Sequence, residues 1–141
     1  MDTRYAEQAR TGTRPDTERR LIFRNTMAIT PGHLTEFEAA IGDAVAFAEQ
    51  HAPQIMVDVF IDGAGETATS FQIYPDSEAV LRHWKLSDPY IAEVMKHCSV
   101  ARFEVFGSPS AEVLAGFGQM PDMDVTMHTR LTGYLKAAGT D

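Results

Sequence analysis

LIFRNTMAI, residues 21 to 29, alternates: Leu21, Phe23, Asn25, Met27 and Ile29 fall on one side of an extended chain, and Ile22, Arg24, Thr26 and Ala28 on the other. This is a strand with one strongly apolar face, and Asn25 is the polar residue that breaks that face. Before it, residues 1–19 carry Arg, Thr, Asp, Glu and Gln with no apolar period, so they are expected to form a mobile arm. After it, Thr30-Pro31-Gly32 reads as a helix start, with Thr30 as N-cap and Pro31 in the first turn. Leu34, Phe37, Ile41, Ala44, Val45 and Ala48 then recur at helical spacing until Pro53. Gln54–Asp62 and Glu66–Tyr74 read as two strands of a hairpin around Gly63-Ala64-Gly65. Asp76 offers a cap for the next helical region, and Leu86-Ser87-Asp88-Pro89 divides that region into two short helices in series. Ser99–Gly107 alternates again, with Ala101, Phe103 and Val105 opposing Val100, Arg102, Glu104 and Phe106.

The resulting order, β-α-β-β-α-β, predicts an α+β fold of the ferredoxin-like type, an antiparallel sheet with both helices on one face. The domain spans residues 20–107. A C-terminal extension, 108–141, holds a short helix at Ser110–Phe117 and an alternating segment at Val125, Met127, Thr129 and Leu131. That segment could join its own sheet edge or reach a partner. Met56 and Phe60, with Ile55, Val57, Val59 and Ile61 around them, make the second strand apolar on both sides, so a second copy could cover the open sheet face and give a homodimer.

Composition narrows the function. Twelve Lys and Arg against twenty Asp and Glu give a net charge of −8, which supplies no basic field for nucleic acid or an anionic membrane. One cysteine, Cys98, permits neither an internal disulfide nor a cysteine-based metal cluster, and fits a reducing, cytoplasmic setting. No run of 18 apolar residues and no signal-peptide pattern is present. The chain has no P-loop, nucleophile elbow, HExxH or Gly-rich dinucleotide fingerprint. Its five histidines lack ligand spacing, except that Glu93 precedes His97 by one turn, so no metal site is expected.

Asn25 on the first strand and Trp84 in His83-Trp84-Lys85-Leu86-Ser87-Asp88-Pro89-Tyr90 are the informative pair. The element order, with a Trp three residues before Ser-Asp and an aromatic following, resembles the antibiotic biosynthesis monooxygenase superfamily of dimeric α+β barrels, over roughly residues 20–107. In members that oxygenate polyketide aromatics without a cofactor, an Asn on the first strand and a Trp on the second helical region line the pocket. The resemblance therefore implies those roles for Asn25 and Trp84, with a small aromatic substrate and no cofactor. An electron-rich phenol or hydroquinone can reduce dioxygen once deprotonated, so a dry cavity, an amide and an aromatic wall suffice. His83 or Tyr90 could accept the proton, and Phe23, Phe71, Phe103 and Met95 would provide the apolar lining.

Other readings stand beside this one. Asn25 could satisfy a backbone group, Trp84 could be interface or core packing, and Phe and Met side chains could fill the pocket of a non-catalytic, small-ligand-binding dimer. Relatives of the same fold degrade haem with a histidine six residues after the Asp of the Ser-Asp pair. Here that position is Val94, which cannot ligate iron. A further class of relatives moves protons in cyclisation or isomerisation, and the same residues would serve it.

Overall fold

The computed structural model describes residues 19–120 and 122–136. The arm expected over 1–19 lies outside the described residues except for Arg19. The elements are β1 (Leu21–Ile29), α1 (Leu34–His51), β2 (Met56–Ile61), β3 (Thr67–Tyr74), α2 (Ser77–Met95), β4 (Cys98–Phe106), α3 (Ala111–Gly118) and β5 (Val125–His128). They form one five-stranded sheet in the order β2-β3-β1-β4-β5. The first four strands are antiparallel to their neighbours, which is the ferredoxin-like arrangement, and β5 adds to the β4 edge in parallel, Phe103 opposite Val125. The extension thus joins its own sheet. No helix among the described residues is long and apolar enough to cross a membrane.

Strand periodicity sorts the sheet into two faces. Leu21, Phe23, Asn25, Met27 and Ile29 share the helix side with Tyr74, Gln72, Ser70 and Ala68 of β3, which pair directly with the first four of them. The apolar members of that side form two separate buried groups. One joins Leu21, Phe23, Tyr74, Val80 and Val105 to Val113 and Phe117 of α3, and the other joins Met27, Ile29, Phe37, Ala40, Ala68 and Val94. Asn25 sits between them, at the position where the core divides.

Three local expectations change. Thr30-Pro31-Gly32 is a turn closed by the His33 amide donating to the Thr30 carbonyl at 2.9 Å, and Gly32 takes φ 84°, so the helix starts at Leu34. α2 is a single helix that carries Pro89 inside it. Ser87 does not cap a second helix, because its side chain is buried and bonded one turn back to His83. Asp76 does cap α2, accepting from the Ala79 amide at 2.9 Å, a bond worth roughly 1 kcal/mol. The third change is in β4, whose register against β1 shifts between Thr26 and Met27, so that Thr26 faces Arg102 while Met27 faces Val100. Ala101 is the extra residue of this bulge, and strict alternation fails there: Val100 turns to the helix side in its place.

The opposite face carries paired charge among apolar side chains. Glu104 is buried and accepts from Arg24 Nε at 2.7 Å and Nη2 at 2.6 Å, with His128 Nε2 at 3.1 Å on its other oxygen. The Arg24 hydrogen bonds hold its carboxyl below the usual range. Phe106 stacks on His128 at 4.4 Å, and Phe71 meets Phe60 edge-on at 5.9 Å.

Candidate functional site

A cavity of about 580 Å³ opens beside Asn25, between the sheet, α2 and the chain around α3. Its size lies within the range of ~300–1,000 Å³ usual for small-molecule sites. The sheet contributes Phe23, Asn25, Gln72, Phe103 and, because of the bulge, Val100. The second helix contributes His83, Trp84, Ile91 and Met95, which fall on one helical stripe, and Phe117, Met120, Asp122 and Met123 close the far side. A smaller chamber of about 100 Å³ shares Asn25, Gln72, His83, Ile91 and Met95 with the larger one and runs on towards α1 and β2.

Each polar group here has a particular state. Asn25 Oδ1 is buried and has no hydrogen-bond partner, an arrangement that costs about 1–3 kcal/mol unless a ligand donates to it. His83 Nδ1 lies 3.0 Å from Ser87 Oγ, and burial pushes the imidazole pKa down to about 4, so the ring is neutral near pH 7. Gln72 joins a buried chain: its Nε2 donates to Ser70 Oγ at 3.0 Å, while its Oε1 accepts from the Tyr74 hydroxyl and from Gln54 Nε2 at 2.9 Å. Burial pushes the Tyr74 hydroxyl upward, which keeps it a neutral donor. Trp84 makes an edge contact with Phe117 at 5.3 Å. A Cβ on Gly116 would overlap the Trp84 ring, so glycine is what lets α3 lie against the indole.

Of the residues singled out from sequence, the structure brings Asn25, His83, Trp84, Phe23, Met95 and Phe103 to one cavity. Two fall elsewhere. Phe71 is opposite Arg24 and Asp58, on the far face of the sheet, because it is one residue out of phase with Ser70 and Gln72. Tyr90 stacks on Phe47 of α1 at 4.4 Å and does not line the cavity. The low basicity of His83 also suits a hydrogen-bonding group better than a proton acceptor for a phenol. Gln72 was legible, since it shares the period of Ser70 and Tyr74. Gln54 and the residues from Phe117 to Met123 carried no signal, because their place depends on how the extension and the α1–β2 loop dock.

Among the described residues no group of three or more His, Cys, Asp or Glu could hold a metal ion. Val94 lines the small chamber, and His97 is turned away to His33, their Nδ1 atoms 3.1 Å apart. Neither the Val94 position nor His97 therefore presents a ligand to a haem iron in the cavity.

Four antiparallel strands with two helices on one side, extended at one edge by β5, define an α+β protein of the ferredoxin-like type. The chain has the fold of the antibiotic biosynthesis monooxygenases. It is similar in structure to MupZ from Pseudomonas fluorescens (TM-score 0.70, 17% identity, 87% of this chain and 99% of that one). SnoaB from Streptomyces nogalater, a cofactor-independent oxygenase, matches at TM-score 0.56 and 14% identity, over 65% of this chain and 95% of its own. A Caulobacter crescentus CB15 protein provisionally called an antibiotic biosynthesis monooxygenase matches at TM-score 0.58 and 14% identity, over 66% and 92% of the two chains. No protein-family profile matches the chain, and no curated protein matches it in sequence.

Proposed function

We propose that the protein is a cofactor-independent monooxygenase that oxidises a quinol or polycyclic phenol in the large chamber. The observation that carries this reading is that the chamber is open: Phe23, Phe103 and Met95 border about 580 Å³ of space and do not fill it. A binder with a collapsed pocket would lack that room. The substrate supplies the electrons. For an anthrone-type ring CH₂, loss of one proton to bulk solvent gives an enolate that reduces dioxygen, carbon and oxygen join as a peroxide that regains a proton from solvent, and loss of water, which carries off the second ring hydrogen, leaves C=O. Both C–H bonds are consumed, four electrons pass to O₂, one oxygen atom stays on carbon and the other leaves as water. Asn25 donates its amide N–H to the developing oxyanion, where a preorganised donor acts on the charge as it forms. Trp84 and Phe117 hold the ring plane, and neutral His83 steadies a substrate oxygen.

The reading includes a homodimer in a reducing, cytoplasmic setting. Phe60, 58% exposed, lies on the uncovered sheet face with Phe71, an apolar area that suits a second copy. Light scattering at micromolar concentration should give twice the chain mass, and a monomer would remove the dimer from the proposal. The activity test is oxygen uptake by chelator-treated protein with a panel of anthrones and hydroquinones. Asn25→Ala and Trp84→Phe should each lower uptake by about 10-fold or more while the chain stays folded, a loss approaching that of removing one oxyanion donor. Uptake that neither substitution changes would clear both residues of any role.

A further inference from the structure

We propose that the 100 Å³ chamber behind Asn25 binds the hydroxyl-bearing edge of the substrate ring, with Gln54 as the residue that selects it. This deepens the oxygenase reading by naming which part of the substrate enters first, and it rests on that reading for the substrate class.

The chamber adjoins the larger one, and five residues, Asn25, Gln72, His83, Ile91 and Met95, line both. It is smaller than the ~150 Å³ cavity that accepts a whole benzene, so it has room for a ring edge and its substituents. Most of its wall is apolar, from Met27, Ile41, Ala44 and Val59 among others. Yet Asn25 Oδ1 and Gln54 Oε1, on two of its lining residues, are both buried without a hydrogen-bond partner. Buried polar atoms are nearly always paired, and two orphans on residues that line one small chamber point to an occupant towards which a small side-chain adjustment would turn them.

Their chemistry defines that occupant. Both are carboxamide oxygens, so they accept, and a phenolic O–H can donate to them where an ether or carbonyl oxygen would be repelled. Gln54 is held for this task by its other end: Nε2 donates to Gln72 Oε1 at 2.9 Å and to the Tyr74 hydroxyl oxygen at 3.0 Å. The Gln72 amide is fixed in turn by Ser70. Gln54 thus presents an acceptor whose orientation a half-buried chain of four side chains maintains, an arrangement that costs stability when empty and favours a ligand with donors.

The test is calorimetric titration under anaerobic conditions with 2,3-dihydroxynaphthalene and 2,3-dimethoxynaphthalene, which share a ring and differ in donor capacity. Wild-type protein should prefer the diol by about tenfold, the scale of one net hydrogen bond. Gln54→Met should reduce that preference to about twofold and leave the affinity for the dimethoxy compound unchanged. Ala44→Leu, which fills the chamber without touching either amide, should also reduce the preference and guards against a folding defect in the first variant. A preference that survives both substitutions overturns the proposal, as does failure of both compounds to bind. A purely structural Gln54 would weaken both ligands equally. Diol preference without aerobic oxygen uptake would sink the oxygenase reading and leave this site standing, whereas uptake with no diol preference would sink the site alone.

Discussion

The two faces of the sheet treat polar groups in opposite ways. On the open face the buried Glu104 carboxylate is enclosed by Arg24, Arg102 and His128, so its charge has partners on both oxygens. On the helix face the polar groups that the sheet and the α1–β2 loop contribute are neutral, and two of them, Asn25 Oδ1 and Gln54 Oε1, have none. The sequence alternation that builds β1 places Arg24 and Asn25 side by side, yet their surroundings differ completely. Paired polar groups stabilise a fold or an interface, while unpaired ones persist where something else must bind. The chemistry proposed above therefore uses the face with the unsatisfied amides.

Substitutions on the two faces should separate them. The largest effect should come from the apolar frame of the helix face: Phe23→Ala removes a buried ring that meets Tyr74 at 4.9 Å and Phe103 at 5.3 Å, and should cost about 3–5 kcal/mol in a denaturant melt. A loss below about 1 kcal/mol would mean that the cavity wall is not part of the core. Next comes acid. Because burial lowers the folded-state pKa of His83 to about 4 from an ordinary value of 6.5, the unfolded chain binds the extra proton first as pH falls. The stability tied to a neutral His83 is complete above pH ~6.5 and is lost towards pH ~4, roughly 2–3 kcal/mol after allowance for partial solvent access. His83→Gln should flatten that part of the pH–stability curve, and an unchanged curve would show that the imidazole is open to water. The smallest effect is the sharpest contrast: Asn25→Leu should leave the melting temperature unchanged or slightly higher, since it removes an orphan, whereas Glu104→Gln should lower it. Equal losses from the two would erase the distinction between the faces.

Much of this frame was legible in the chain. The alternation of residues 21–29, the Gly63–Gly65 turn and the cap at Asp76 each act locally, so element order and the helix-side position of Asn25 follow from neighbours in sequence. The misreadings arose where a distant contact overrode a local rule. Ser87 looked like a cap because Pro89 follows it, but its hydroxyl is taken by His83 and the helix runs through. Phe71 looked like lining because it is aromatic, although its strand parity assigns it to the other face. Half of the candidate site was visible as Asn25, His83 and Trp84, which lie on elements with clear periods. Gln54 and Phe117 were not, since one follows a proline in a loop and the other depends on where α3 docks.

β5 also has a consequence for assembly. Without it the nine-residue β4 would end the sheet and offer a long row of unpaired amides and carbonyls to any passing strand. Four residues laid in parallel along it replace that template with a short one, and at the other end β2 carries Asp58 in the middle of its six residues. Edge-to-edge growth into fibrils is discouraged at both ends, which leaves the broad side of the sheet as the surface that the proposed pairing of two copies would use.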